Sequence, residues 1–190
     1  MAMTAAEQGA AVLNYVKVNA LLKTDGVVSG VVARDEEAGR DHTFEARVVI
    51  NATGAFADGV RRMDDPACSP LISPSQGVHI VLDRSFLPGD TAIMVPHTDD
   101  GRVLFAIPWH GRVVVGTTDT AVSEAVLEPR PLPDEVEFLL AHACRYLSQD
   151  PTRRDVLSAC AGLRPLVAAG RGESTSSLSR DHALHISSSG

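Results

Sequence analysis

Apolar positions in the first third of the chain come in short runs separated by turn chemistry. Val12 to Leu22, Val27 to Arg34 and Phe44 to Asn51 are predicted strands. Asp25-Gly26 and the segment from Glu36 to Arg40 turn the chain between them, so a β-meander is expected, with a short helix near Ala5 to Ala11 before it. The run Arg47-Val48-Val49-Ile50-Asn51-Ala52-Thr53-Gly54 is almost continuously apolar, the pattern of a strand buried on both faces of a parallel sheet. Its closing glycine suits a sharp turn into a helix over Phe56 to Arg62, or a close approach of backbone to a ligand.

Further on the pattern alternates. In the strand-like segment Gln76 to Leu82, period two places Val78, Ile80 and Leu82 on one face and His79 with Val81 on the other. Ala92 to Val95, Arg102 to Pro108 and Arg112 to Thr118 read as antiparallel strands, with Asp99-Asp100-Gly101 and His110-Gly111 as hairpin turns. From Pro133 to Gln149 the period becomes helical. Val136, Leu139, Leu140, Ala143 and Leu147 form one stripe, Asp134 with Glu137 gives a capping signal, and Pro151 lies beyond the end. Trp109 reads as a partly buried packing residue, and Arg171 to Ser179, rich in Gly, Ser and Thr, as a mobile loop that delivers Arg180. The fold class is α/β in a mixed α+β form.

Composition narrows the function classes. At 190 residues, 44% hydrophobic and 22% charged, the chain is ordinary for a globular protein of one domain or a little more. A net charge of −7 with no basic block argues against a nucleic-acid partner. Cys68, Cys144 and Cys160 are an odd set at wide spacing, which suits reduced thiols in the cytoplasm and offers no metal site. No apolar run approaches the ~20 residues needed to span a membrane, and the Met1-Ala2-Met3 start is unlike a signal peptide.

The candidate chemistry is a cationic site the size of a phosphate. Arg164, in Gly162-Leu163-Arg164-Pro165-Leu166, and Arg180, in Ser179-Arg180-Asp181, carry planar guanidinium groups that can donate paired hydrogen bonds to phosphate oxygens. Pro165 biases Arg164 toward an extended backbone at the end of a strand or the start of a turn. Taken singly, both arginines fit solvated surface pairs better than a ligand site, and His79 fits a hydrogen-bonded structural residue better than a base. Thr117-Thr118-Asp119 is balanced between local hydrogen bonding and ligand contact.

The wording and order of five segments resemble one family. Ile72-Ser73-Pro74-Ser75-Gln76-Gly77-Val78-His79, Ala106-Ile107-Pro108-Trp109, Val115-Gly116-Thr117-Thr118-Asp119-Thr120, Ala161-Gly162-Leu163-Arg164-Pro165-Leu166 and Ser179-Arg180-Asp181-His182 look like successive signatures of FAD-dependent glycerol-3-phosphate dehydrogenase. The resemblance runs from about residue 5 to the end of the chain, with Phe56 standing where many relatives have tryptophan. It implies oxidation of glycerol 3-phosphate to dihydroxyacetone phosphate, with FAD as cofactor and a quinone as electron acceptor. His79 and Arg164 are then the catalytic residues, Arg164 and Arg180 bind the substrate, and Val18, Ala52, Thr53 and Gly54 face the FAD. It further implies a homo-oligomer, cytoplasmic or peripheral on the cytoplasmic membrane. Residues 1–67 would be part of a Rossmann-like FAD-binding domain, 68–165 an antiparallel-sheet substrate domain with helices on one face, and 166–190 a return segment toward the first.

One expected element is missing. A flavoprotein of this kind holds the FAD pyrophosphate at a Gly-x-Gly-x-x-Gly turn between a strand and a helix. The nearest pairing, Gly170-Arg171-Gly172, has no strand-to-helix context. The chain therefore reads as the interior of a larger enzyme. Two alternatives stay open: an amine or amino-acid oxidase on the same scaffold, in which Arg164 would hold a carboxylate, and a noncatalytic binding module without flavin.

Overall fold

The computed structural model describes residues 1–96, 98–99, 101–167 and 183–190. They form two compact units, the first made of Met1–Ser69 with Ala183–Gly190 and the second beginning at Pro70.

The first unit is built on a three-stranded antiparallel meander, β1 (Val16–Thr24), β2 (Val27–Asp35) and β3 (Arg40–Glu45). Asp25 and Gly26, with φ of 52° and 84°, make the two-residue turn between β1 and β2. Both take the left-handed backbone that a type I′ hairpin requires, which Asp-Gly adopts at low cost. The carboxylate of Asp35 accepts the amides of Glu37 and Ala38 at 2.9 Å each and closes the next turn. The first helix, α1 (Ala2–Glu7), stops earlier than its sequence suggests because Gly9, at φ 88°, takes the left-handed conformation that ends a helix. A 3₁₀ turn over Gly54–Phe56 leads into α2 (Ala57–Asp64). The Asp64 carboxylate anchors this helix by pairing with Lys23 of β1 at 2.7 Å and accepting the hydroxyl of Ser189.

The apolar run after β3 is a correction to the sequence reading. Val48 and Ile50 are 72% and 83% exposed and lie outside any strand, and β3 ends at Glu45. A strand buried on both faces needs ladders along both edges and a layer over each face. Among the described residues nothing supplies them.

The second unit is a six-stranded antiparallel sheet built around β4 (Ile72–Asp83). One edge of β4 carries β9 (Ser158–Val167). Its other edge is shared by β7 (Arg112–Gly116) at His79 to Asp83 and by the short β8 (Thr120–Ala121) at Ser75 and Gln76. Beyond β7 lie β6 (Leu104–Trp109) and β5 (Ile93–Val95). His110 and Gly111, at φ 46° and 72°, turn β6 into β7 as their sequence predicts. The alternation in β4 also holds: Val78, Ile80 and Leu82 are fully buried. With Val113, Val115, Leu104 and Ala106 they make one apolar face, which α3 (Pro133–Ala143) covers through Val136, Leu139 and Leu140. Each of the Val, Leu and Ile side chains contributes roughly 1.5–3 kcal/mol on burial. The other face of the sheet carries the candidate site.

Two details of α3 differ from expectation. Its cap is Glu135, whose carboxylate accepts the Leu132 amide at 2.9 Å, while Glu137 pairs with Arg153 at 3.1 Å. The helix ends at Ala143, where the Arg145 and Tyr146 amides turn to carbonyls three residues back, and further on the amide and hydroxyl of Ser148 both bond the carbonyl of Phe86, at 3.1 and 2.7 Å. Leu147 still packs on the core. Among the described residues, no helix is long and apolar enough to cross a membrane.

Candidate active site

Strand register assembles the site. Along β4, Ser75, Gly77 and His79 alternate with the buried row and face away from the core. Opposite them on β9 stand Arg164, Gly162 and Cys160, and opposite His79 on β7 stands Gly116. Directly paired antiparallel residues project to the same face. His79 and Arg164 therefore share one surface, four positions apart along the ladder.

Three glycines form the floor of this surface. Gly77 and Gly162 face each other across β4 and β9. A Cβ on Gly77 would fall 2.6 Å from Arg164 Cζ, so the guanidinium lies flat over that backbone. A Cβ on Gly116 would fall 2.7 Å from both Cγ and Nε2 of His79, so the imidazole lies over the neighbouring strand. The missing side chains give each functional group its seat.

The guanidinium is gripped by the loop between β7 and β8. Arg164 Nη2 donates to Thr117 Oγ1 at 2.9 Å, and Nη1 donates to the Thr118 carbonyl at 3.1 Å and to Asp119 Oδ1 at 3.3 Å. Asp119 also accepts the hydroxyl of Ser75. Its side chain is 10% exposed and that of Arg164 25%, so the pair sits largely out of solvent while the arginine keeps an open side. Sequence reasoning left Thr117, Thr118 and Asp119 undecided; here they fix the plane of Arg164. Arg164, expected at the end of a strand or the start of a turn, lies inside β9. Pro165 only extends the backbone there, and its missing amide is tolerated opposite Pro74.

His79 is half-buried, and its pKa lies below the usual 6.5. Burial is the larger cause, since an imidazolium loses solvation, and the positive charge of Arg164 adds to it. The ring is neutral at pH 7 and can accept a proton. Trp109, expected to be partly buried, is 61% exposed and packs edge-on against His110 at 5.0 Å between ring centres. β6 points it to the open face, beyond the core layer. Arg180 lies outside the described residues.

Val18, Ala52, Thr53 and Gly54 belong to the first unit. Val18 is half-buried in β1, beside a register shift between Val18 and Ala20. Asn51 shapes the turn: its Oδ1 accepts the Thr53 hydroxyl at 2.8 Å, and its Nδ2 donates to the Ala57 carbonyl at 2.9 Å. Gly54, at φ 58°, then starts the path into α2, with Ala52 and Thr53 exposed. A small-residue turn of this kind fits close contact with the flat, uncharged parts of a dinucleotide. None of these four residues offers a charged partner for a pyrophosphate.

Residues 1–183 match the family described as DAO, FAD dependent oxidoreductase, and the chain belongs to that family. Within it, the chain is 40% identical over its whole length to a probable mitochondrial glycerol-3-phosphate dehydrogenase of Dictyostelium discoideum, and covers 32% of that protein. It is 44% identical over 97% of its length to the mitochondrial glycerol-3-phosphate dehydrogenase of Arabidopsis thaliana, covering 29% of it. Among solved structures, the glycerol-3-phosphate dehydrogenase from Bacillus halodurans complexed with FAD superposes with a TM-score of 0.80 at 38% identity, over 86% of this chain and 33% of that one. L-proline dehydrogenase from P. horikoshii shares the fold at a TM-score of 0.58 and 17% identity, over 87% of this chain and 41% of that one. The chain thus spans about a third of the length of the curated relatives it matches. Its mixed α/β architecture with antiparallel sheets is that of the dehydrogenase structure.

Proposed function

We propose that the full-length protein containing these residues oxidises sn-glycerol 3-phosphate to dihydroxyacetone phosphate, with FAD as hydride acceptor and a quinone as the final acceptor. One observation carries the reading: a fixed guanidinium and a neutral imidazole share one glycine-floored face. The guanidinium sits at the level of Gly77, and His79 is two residues further along β4. Two residues of strand rise about 6–7 Å, and the imidazole is seated one strand over, about 5 Å to the side, so the two seats lie roughly 8 Å apart. That spacing suits an anion and a hydroxyl separated by a few bonds, as in a three-carbon phosphate.

In this reading Arg164, joined by Arg180, binds the phosphate and holds the substrate in one orientation. His79 takes the hydroxyl proton as the C2–H bond breaks, which leaves a carbonyl. Asp119 and the two threonines keep the guanidinium plane fixed, so binding does not have to order a flexible arginine. The flavin, when bound, supplies the acceptor for the two electrons and the hydrogen leaving C2. Val18 and Ala52-Thr53-Gly54 face the dinucleotide, residues 1–67 serve the FAD-binding domain and 68–165 the substrate domain, while most of 166–190 lies outside the described residues. The names of the Dictyostelium, Arabidopsis and Bacillus relatives support this substrate.

Arg164→Lys tests the reading. Lysine keeps the charge and loses the fork, so the Michaelis constant for glycerol 3-phosphate rises by roughly 10- to 100-fold, the equivalent of one charge-assisted hydrogen bond, while flavin content holds. Unchanged kinetics, or preferential oxidation of an amino acid by the unmodified protein, would overturn it.

A further inference from the structure

Beneath the candidate site, on the core side of the sheet, lies a carboxylate that the proposed chemistry does not use. Glu135 is 5% exposed, on the first turn of α3. Its Oε2 accepts Gln76 Nε2 at 2.7 Å and the Leu132 amide at 2.9 Å, and its Oε1 accepts the Thr118 hydroxyl at 3.0 Å. Burial alone would raise its pKa, but the bonds from Leu132, Thr120, Gln76 and Thr118 outweigh that and leave it below the ordinary value. Glu135 therefore stays ionised, and an ionised carboxylate can only accept.

That restriction fixes Thr118. A hydroxyl has one proton, and Thr118 gives it to Glu135, which turns the oxygen's lone pairs toward the Val78 amide at 2.9 Å. Thr118 is thereby tied to α3 on one side and to β4 on another. Its own carbonyl receives Arg164 Nη1 at 3.1 Å and the Thr117 hydroxyl at 3.1 Å, and that same Thr117 oxygen accepts Arg164 Nη2. The chain of bonds runs from the helix through the sheet to the guanidinium. Gln76, whose Nε2 also reaches the Arg130 carbonyl at 3.0 Å, holds the far side of the carboxylate.

We infer that Glu135 is a positioning residue for anion binding: through Thr118 it sets the plane in which Arg164 meets the substrate's phosphate. A helix cap of the ordinary kind would need only the Leu132 bond. The contacts to Thr118 and Gln76 reach past the helix end, and burying a carboxylate beside a hydrophobic core is costly unless such bonds offset it. Glu135→Gln keeps the shape but places an NH₂ where one of these donors points, so Thr118 loses its single orientation.

The inference rests on the proposed role of Arg164, and a double-mutant cycle separates the two. In the full-length protein, with flavin content and thermal melting checked, Glu135→Gln is expected to raise the Michaelis constant for glycerol 3-phosphate roughly tenfold, with a much smaller fall in kcat. Added to Arg164→Lys it should do little more, because both act on one contact. Thr118→Val, which leaves Glu135 with its cap and Gln76, is expected to reproduce the effect and decides the matter should Glu135→Gln fold poorly. A well-folded variant with an unchanged Michaelis constant, or effects that multiply fully with those of Arg164→Lys, would overturn the inference. A wild-type Michaelis constant in Arg164→Lys itself would instead overturn the role of Arg164.

Discussion

The Arg164 guanidinium lies over the backbone of Gly77, on the strand beside its own, at a place where any side chain would displace it. The seat and the grip come from different parts of the chain: Gly77 from β4, and Thr117, Thr118 and Asp119 from the loop that leaves β7. Neither half fixes the arginine alone. An extended arginine with a clear floor would still sample many rotamers, and the loop would have nothing to hold if a Cβ pushed the guanidinium away.

Gly77→Ala is therefore expected to act on binding more than on folding. The backbone at Gly77 is not in the left-handed region, so alanine fits the strand, and the conflict falls on Arg164. Displacing the guanidinium should raise the Michaelis constant by roughly 10- to 100-fold, the loss of about 1.5–3 kcal/mol for a charge-assisted bond. Steady-state kinetics with flavin content as control would check it; an unchanged constant would mean that Arg164 adopts an equally good position elsewhere.

The same substitution at Gly116 should give a different result. There the added Cβ meets the His79 ring, so the expected loss is in the rate of flavin reduction, measured by anaerobic stopped flow at saturating substrate. A misplaced general base costs up to roughly 100- to 10,000-fold. If Gly116→Ala changes affinity and leaves that rate alone, His79 positions the substrate and another group takes the proton.

Much of the second unit could be read from its sequence, because local alternation and turn chemistry agreed with the final packing. Val78, Ile80 and Leu82 declared their face, and His110-Gly111 declared its turn. The strand around Arg164 was harder to see: of its ten residues only Leu166 is buried, so no strong alternation marks it. The grip on Arg164 was legible only as an undecided Thr-Thr-Asp, since it depends on a register between residues 45 to 47 apart. Val48 and Ile50 failed for the opposite reason. Their composition describes an environment of flanking strands, and none of the described residues provides it.

The core assignment predicts a sharp contrast in stability. Leu139 is fully buried between α3 and the sheet, and Leu139→Ala should cost about 2–5 kcal/mol through lost transfer energy and the cavity left behind. Leu127, 87% exposed, should change stability by less than about 0.5 kcal/mol on the same substitution. Chemical denaturation of the two variants compares them directly. Equal effects would show that α3 does not form the main apolar contact of this sheet.

The last prediction concerns His79 and pH. Burial, and secondarily the charge on Arg164, hold its pKa below 6.5 in the folded protein. The unfolded chain therefore binds more protons at this residue as pH falls below about 6.5, so its contribution to stability is full above that value and declines as pH drops through the folded pKa. NMR titration of the imidazole, assigned with a His79→Asn variant, should give a midpoint below 6.5. Arg164→Gln should raise that midpoint without restoring 6.5, because the larger cause, burial, remains. A midpoint at or above 6.5 in the unmodified protein would mean that the ring is better solvated, or closer to an anion, than its seat over Gly116 implies. It would then be largely protonated in the acid range where a neutral base is needed.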